Sequence, residues 1–208
     1  AALVAFVGLI DSFLGTIDRG NEEVLSSAPA RLEVALDRPY PADGPEVAAI
    51  AGDARVRSAE NLLRLESLVR HDGEEVGIQV DVRPLDSPTW VPRLTQGKLD
   101  RDTPGLYLRE LAARNLGVET GDTVTLRHPV LGPGGTFGLV DTELPVLGLH
   151  PHPFRFVTYM DSSHAGLFNL AGATNLVQVL PAEGATRDEM KRALFDLDGV
   201  TSVQGLDE

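Results

Sequence analysis

Asn175-Leu176-Val177-Gln178-Val179-Leu180-Pro181, then Thr186-Arg187-Asp188-Glu189-Met190, then Gly199-Val200-Thr201-Ser202-Val203 decide the fold. The first stretch is a short apolar run rich in β-branched residues, and Pro181 breaks it, as expected of a strand. Thr186 with Glu189 three residues later forms a capping box, so a helix starts there and runs through Met190, Ala193, Leu194 and Leu197. Gly199 closes that helix, and Val200-Thr201-Ser202-Val203 alternates into a final strand.

The same order occurs near the other end. Arg31-Leu32-Glu33-Val34-Ala35-Leu36 alternates polar and apolar, as a half-buried strand does, and Pro39, Pro41 and Gly44-Pro45 are expected to end it. A short helix over Glu46–Ala51 follows, with Pro45 suited to its first turn. Arg55-Val56-Arg57-Ser58-Ala59 is then a strand that can continue to Leu65. Each half reads strand, Pro-containing loop, helix, then a V-x-S strand. Two βαβ halves from opposite ends of a chain can share one sheet with their helices on one face. Residues 66–173 are then an insertion between them.

The insertion reads as β-rich. Asp72-Gly73 suits a hairpin turn before the alternating Val76, Ile78, Val80 and Val82. The spacing predicts a helix over Leu106–Leu116 with Gly117 beyond its end. Gly121-Asp122 turns into Thr123-Val124-Thr125-Leu126, and Gly132-Pro133-Gly134-Gly135 is a loop between strands. Leu144–Leu149 and Phe154–Tyr159 read as further strands, and Asp161 as the cap of a short helix over Ser162–Leu170.

The N-terminal segment has another period. Leu3, Val7, Ile10, Leu14, Ile17, Asn21 and Val24 alternate four and three apart, as along a coiled-coil seam. A helix over the first 25 residues would be a rod of about 37 Å. Leu3, Val7, Ile10, Leu14, Ile17 and Val24 are its candidate packing residues. The first ten residues are uncharged and largely apolar, too short to cross a bilayer alone, and read as the tail of a membrane span leading into a stalk. A helix docked on the protein's own core is the other reading.

Composition narrows the chemistry. The 208 residues carry a net charge of −13, which argues against nucleic acid as a partner. No cysteine is present, which excludes disulfides, zinc-thiolate and iron–sulfur sites, and thiol catalysis. Gly132–Gly135 lacks the Lys-Ser/Thr of a phosphate-binding loop, and no G-x-S-x-G elbow occurs. Ser162-Ser163-His164 sets hydroxyls beside an imidazole, yet neighbours on a helix point in different directions. His150-Pro151-His152 reads as a surface loop, while His71 and His128 fall at strand ends where exposed histidine is common. No cofactor, metal or catalytic residue is expected. The candidate partner-binding residues are Phe154, Arg155 and Phe156, beside prolines at a strand entry, and Trp90 between Pro88 and Pro92.

Gly105-Leu106-Tyr107-Leu108-Arg109-Glu110-Leu111-Ala112, leading into Leu116-Gly117-Val118-Glu119-Thr120-Gly121-Asp122-Thr123-Val124-Thr125-Leu126, resembles a segment of the extracytoplasmic domains of MacB/FtsX/LolC-type ABC transporter permeases. Tyr159-Met160-Asp161, the 175–180 strand and the Asp198–Val203 ending are similar to the closing half of that domain. The resemblance implies an α+β fold. An N-terminal stalk (1–27) would precede a split porter-like α/β subdomain (28–65 and 174–208), interrupted by a β-rich insert (66–173). It implies a domain outside the cell membrane that binds cargo or a partner and couples to ATP hydrolysis elsewhere by mechanotransmission. The partners implied are the membrane-embedded remainder of the permease, a cytoplasmic ATPase subunit or domain, a homodimer or pseudo-dimer mate, and an extracytoplasmic protein or lipoprotein. A freestanding secreted binding protein is the alternative.

Overall fold

The structure, a computed structural model, describes residues 31–87, 90–151 and 157–205. The stalk residues Leu3 to Val24 and the triplet Phe154, Arg155 and Phe156 lie outside the described residues. No helix among the described residues is long and apolar enough to cross a membrane.

The two halves of the chain interleave. β1 (Leu32–Pro41), α1 (Pro45–Ala51) and the start of β2 (Val56–His71) form one βαβ unit; β9 (Ala173–Pro181), α3 (Arg187–Phe195) and β10 (Val200–Gly205) form the other. The strand order is β10-β1-β9-β2, with β1 antiparallel to both β10 and β9, and β9 antiparallel to β2. Each βαβ unit therefore crosses over one strand of the other, a split βαβ pair of ferredoxin-like topology. Leu32, Val34 and Leu36 from β1 and Val177 and Val179 from β9 point to one face, where Val47 and Ile50 of α1 and Met190 and Leu194 of α3 cover them.

A second core belongs to the insertion. It is built on the far half of β2, β3 (Glu74–Arg83), β5 (Leu106–Arg109), α2 (Glu110–Leu116), β6 (Thr123–Leu131), β7 (Phe137–His150), β8 (Val157–Asp161) and a 3₁₀ helix at Ser162–Phe168; a two-residue β4 (Gln96–Gly97) adds to β7. Leu63, Val80, Leu108, Leu126, Met160 and Phe168 lie at its centre. β2 serves both cores: Val56–Leu62 pairs with β9 and Leu63–His71 with β3, with no unpaired step between. At about 3.3 Å per residue its 16 residues reach roughly 50 Å.

Several local expectations change. Leu106–Arg109 is a strand, parallel to β7, and the helix begins only at Glu110. Leu106, Tyr107 and Leu108 are all fully buried, and a strand covered on both faces has no alternation to distinguish it from a helix. β1 runs on to Pro41: Pro39 falls where pairing with β9 lapses between Ala35 and Tyr40 and so forfeits no ladder bond, and pairing resumes at Tyr40 and closes at Pro41, the last residue of the strand. His128 is buried rather than exposed, its ring edge-on to Phe168 and its Nε2 2.9 Å from the Thr142 hydroxyl. His150 is buried as well, at the end of β7, with Nε2 3.0 Å from the Val157 carbonyl. The Thr186 capping box is formed, and Asp161 caps the 3₁₀ helix through the Ser163 N–H.

Gly199 and Gly134 have nearly the same positive φ, 79° and 82°. A Cβ at Gly199 would lie 2.7 Å from the Tyr40 hydroxyl, whereas one at Gly134 meets nothing within 4 Å. Gly134→Ala is therefore expected to cost about 1 kcal/mol from φ alone. Gly199→Ala should cost at least about 2 kcal/mol, because Tyr40 must also shift. Urea midpoints of the two variants check the difference.

Candidate functional site

The sheet face turned away from both cores carries a charged network. Residues Glu33, Gln178, Glu60 and Arg64 alternate with core residues on β1, β9 and β2, so they project together on this face. Arg64 stands at its centre. It donates from Nε and Nη2 to the two carboxylate oxygens of Asp81, its cross-strand neighbour on β3, at 2.7 and 2.8 Å. Nη1 and Nη2 also reach Glu33 on β1 at 2.7 and 3.0 Å. Gln178 donates to Glu33 at 3.0 Å and accepts from Arg31 at 3.3 Å. Arg83 and the Ser87 hydroxyl both bond Glu60. Burial alone would lower the pKa of the Arg64 guanidinium; Asp81 first and Glu33 second outweigh it and hold it above its ordinary value. The charge is therefore fixed, and the group serves as a clamp.

The backbone at Arg64 is completed by a side chain. The Asn175 carbonyl oxygen accepts from the Arg64 N–H, and its amide donates to the Arg64 carbonyl, both at 2.8 Å. The Thr174 hydroxyl bonds the Leu62 carbonyl at 2.7 Å. Where β2 changes partner from β9 to β3, these side chains take the place of a ladder.

Residues 84–87 and 90–105 fold over the same face. Leu85, Tyr107, Val157 and Tyr159 form a small cluster with Trp90, Leu94 and Leu147 packed against it. Trp90, one of the partner-binding candidates, stands edge-on to Tyr159 at 4.8 Å, with the Arg83 guanidinium 3.9 Å over its ring. Asp161 pins both ends of the segment, accepting from the Leu85 N–H at 3.2 Å and the Arg101 Nε at 3.1 Å. Burial would raise the Asp161 pKa, but bonds from Ser163, Leu85 and Arg101 outweigh it and hold it below the usual value. The Ser163 hydroxyl bonds Asp161 at 2.7 Å and the Arg101 carbonyl at 3.3 Å, and His164 Nε2 lies 3.0 Å from that same carbonyl, so both side chains tie down the Arg101 backbone. Among the described residues no cluster of His, Asp and Glu is arranged to hold a metal ion.

Two shallow clefts flank the network, one of about 170 Å³ beside Arg31, Glu60 and Gln178, the other of about 270 Å³ beside Glu33, Arg64 and Gln204. Exposed apolar side chains occur on the covering segment, at Val91 and Leu99, on α3, at Phe195, and together at the tip of one hairpin. On the outer face of the β6–β7 hairpin, Arg127 pairs with Asp141, Pro129 with Leu139 and Leu131 with Phe137. Polar alternation thus turns apolar toward the tip, where Leu139 is 65% exposed and Phe137 49%. The sequence signal was there, in apolar residues on both sides of Gly132-Pro133-Gly134-Gly135, but period-2 alternation alone does not say which face is buried.

Three outcomes are expected. Arg64→Met should cost about 3 kcal/mol or more, since it leaves Asp81 and Glu33 buried without a partner, and the triple variant Arg64→Met, Glu33→Gln, Asp81→Asn should recover most of it in chemical denaturation. Trp90→Ala should cost about 2 kcal/mol, less than a fully buried Trp. A stability unchanged by Trp90→Ala would instead make the ring a surface anchor. Asp161, with its folded pKa depressed, contributes stability above the ordinary carboxylate pKa that is lost as pH falls through its lower folded value. Asp161→Asn should therefore flatten part of the decline in stability below about pH 4.

No family model and no curated protein matches the chain. Among solved structures, the extracellular domain of the noncanonic ABC-type transporter YknZ from Gram-positive bacteria is 14% identical, with a TM-score of 0.49, covering 84% of this chain and 98% of that one. The periplasmic region of MacB from Actinobacillus actinomycetemcomitans is 9% identical, with a TM-score of 0.52, covering 88% of this chain and 92% of that one. At such identities the likeness is one of fold, and it spans the split sheet and its insertion together. The chain has the fold of the periplasmic region of MacB.

Proposed function

We propose that the chain is the extracytoplasmic domain of an ABC transporter permease. It binds cargo or a partner protein outside the cell membrane and couples that binding, by mechanotransmission, to ATP hydrolysis in a cytoplasmic subunit or domain. It catalyses nothing itself. The observation that carries this reading is the interrupted topology, a split βαβ sheet holding a β-rich insertion between β2 and β9, in a chain similar in fold to the MacB periplasmic region. The order of sequence motifs supports it independently.

Two features suit a coupling part. The first and last described strands pair side by side, Leu32 opposite Gly205, so both ends of the described chain leave from one edge of the sheet. A domain held between membrane segments needs its ends on one side. The charged groups of the far face are used internally, Arg64 and Arg83 on carboxylates, which leaves them committed to holding shape. The apolar tip of the β6–β7 hairpin is the binding surface this reading favours, because Phe137 and Leu139 project into water with no structural return.

The sequence flanking the chain in its gene tests the reading directly. An apolar completion of a membrane span before Ala1 and further spans after Glu208 are expected; flanks without spans would leave the freestanding secreted binder in its place. The double variant Phe137→Ser, Leu139→Ser should keep the melting temperature of the domain within about 2 °C, since exposed substitutions are nearly neutral. In the complete permease it should abolish transport-dependent phenotype. Undiminished transport by that variant would move the binding surface away from the hairpin.

A further inference from the structure

We propose that the Arg64 crossover is a rigid coupling joint, which makes the two cores open and move as one body with β2 as the strut between them. The inference goes beyond the transport reading and does not depend on it, being a property of the domain alone.

A hinge between two packed units needs a few residues free to absorb backbone rotation. Both covalent links between these cores are tied by hydrogen bonds, the second across the exposed Ala171-Gly172 turn. In the first, β2 passes from β9 to β3 between Leu62 and Leu63 without an unpaired residue. The Asn175 side chain holds both backbone groups of Arg64 at the step, and Thr174 holds Leu62. In the second link, where the insertion returns to β9, Ala173 N–H bonds the Leu170 carbonyl and Ala42 N–H bonds the Gly172 carbonyl, each within 3.0 Å. The Arg64 side chain then ties β1 of one core to β3 of the other through Glu33 and Asp81. Four strands are joined at one residue, and a displacement at the Leu32–Gly205 edge has no compliant element to be lost in before it reaches the β2–β3 turn.

Asn175 is the discriminating position. Its side chain belongs to neither hydrophobic cluster, so its truncation removes the joint while leaving both cores packed. The test is native-state hydrogen exchange on the whole chain, comparing Val177 and Val179 in β9 with Ile78 and Val80 in β3. In the unaltered protein the two groups should share one opening, with the same denaturant dependence. Asn175→Ala should split them, so that protection of the β9 amides falls at least about tenfold further than that of the β3 amides, or the reverse. The neutral triple variant Arg64→Met, Glu33→Gln, Asp81→Asn should stay coupled, because it keeps the Asn175 ladder and replaces the ion pairs with packed groups. Separate openings in the unaltered protein would overturn the joint. So would an Asn175→Ala chain whose two groups lose protection equally, or which loses both cores at once. Should the triple variant not fold, the Asn175→Ala comparison decides alone.

Discussion

The position of Arg64 constrains the rest of the structure. A strand that serves two cores must give up one partner and take another, and at that step its backbone groups would be left without bonds in a dry interior. An unpaired buried amide or carbonyl costs about 1–3 kcal/mol, against a net gain of about 1 kcal/mol for a bond made. The chain answers with a side chain, Asn175, whose amide reproduces the geometry of a neighbouring strand at Arg64. Once the backbone is fixed there, the guanidinium points away from both cores, where only carboxylates can satisfy it. Glu33 and Asp81 come from strands on opposite sides of the step. The network therefore follows from the shared strand and would have no reason to exist on two separate sheets.

Covering that network demands a lid. Ion pairs on an open sheet face contribute little, because water competes with them. Here residues 84–87 and 90–105 lie over part of the face, placing Trp90 against Arg83 and Tyr159. Asp161 anchors the lid at both ends and also caps the 3₁₀ helix that follows it, so one carboxylate sets two loops. An aromatic flanked by prolines looked like a recognition residue in the sequence. In the structure the ring packs edge-on to Tyr159 beneath the Arg83 guanidinium, while Phe137 and Leu139 are more exposed at the hairpin tip.

The sequence showed the periphery of the fold better than its centre. The capping box at Thr186 and Glu189, the Asp72-Gly73 turn, the Gly117 stop and both βαβ units are local signals, encoded in residues a few positions apart, and the structure has each of them. The joint was not legible. Nothing near Asn175 says that it pairs with a residue 111 positions earlier. Arg64 reads as a polar position on an alternating strand, and its partners Glu33 and Asp81 are separated from it by a helix and a hairpin. Leu106–Arg109 misled for a related reason: a strand buried on both faces loses the alternation that identifies strands.

The same logic bears on what a fold of this kind can transmit. A domain that must pass movement between a partner and a membrane has two options: a hinge whose angle reports the bound state, or a rigid body whose displacement does. A hinge would be expected to show loosely packed, weakly bonded residues at the crossing, and both crossings here are bonded through backbone and side chain alike. On the proposed coupling reading, a rigid joint would place the moving element outside the described sheet. The lever would then be the whole domain turning about the edge where Leu32 and Gly205 lie paired, with a small rotation there magnified along the roughly 50 Å of β2. On that view the ion-pair network, with Arg64 and Arg83 committed to Glu33, Asp81 and Glu60, serves stiffness.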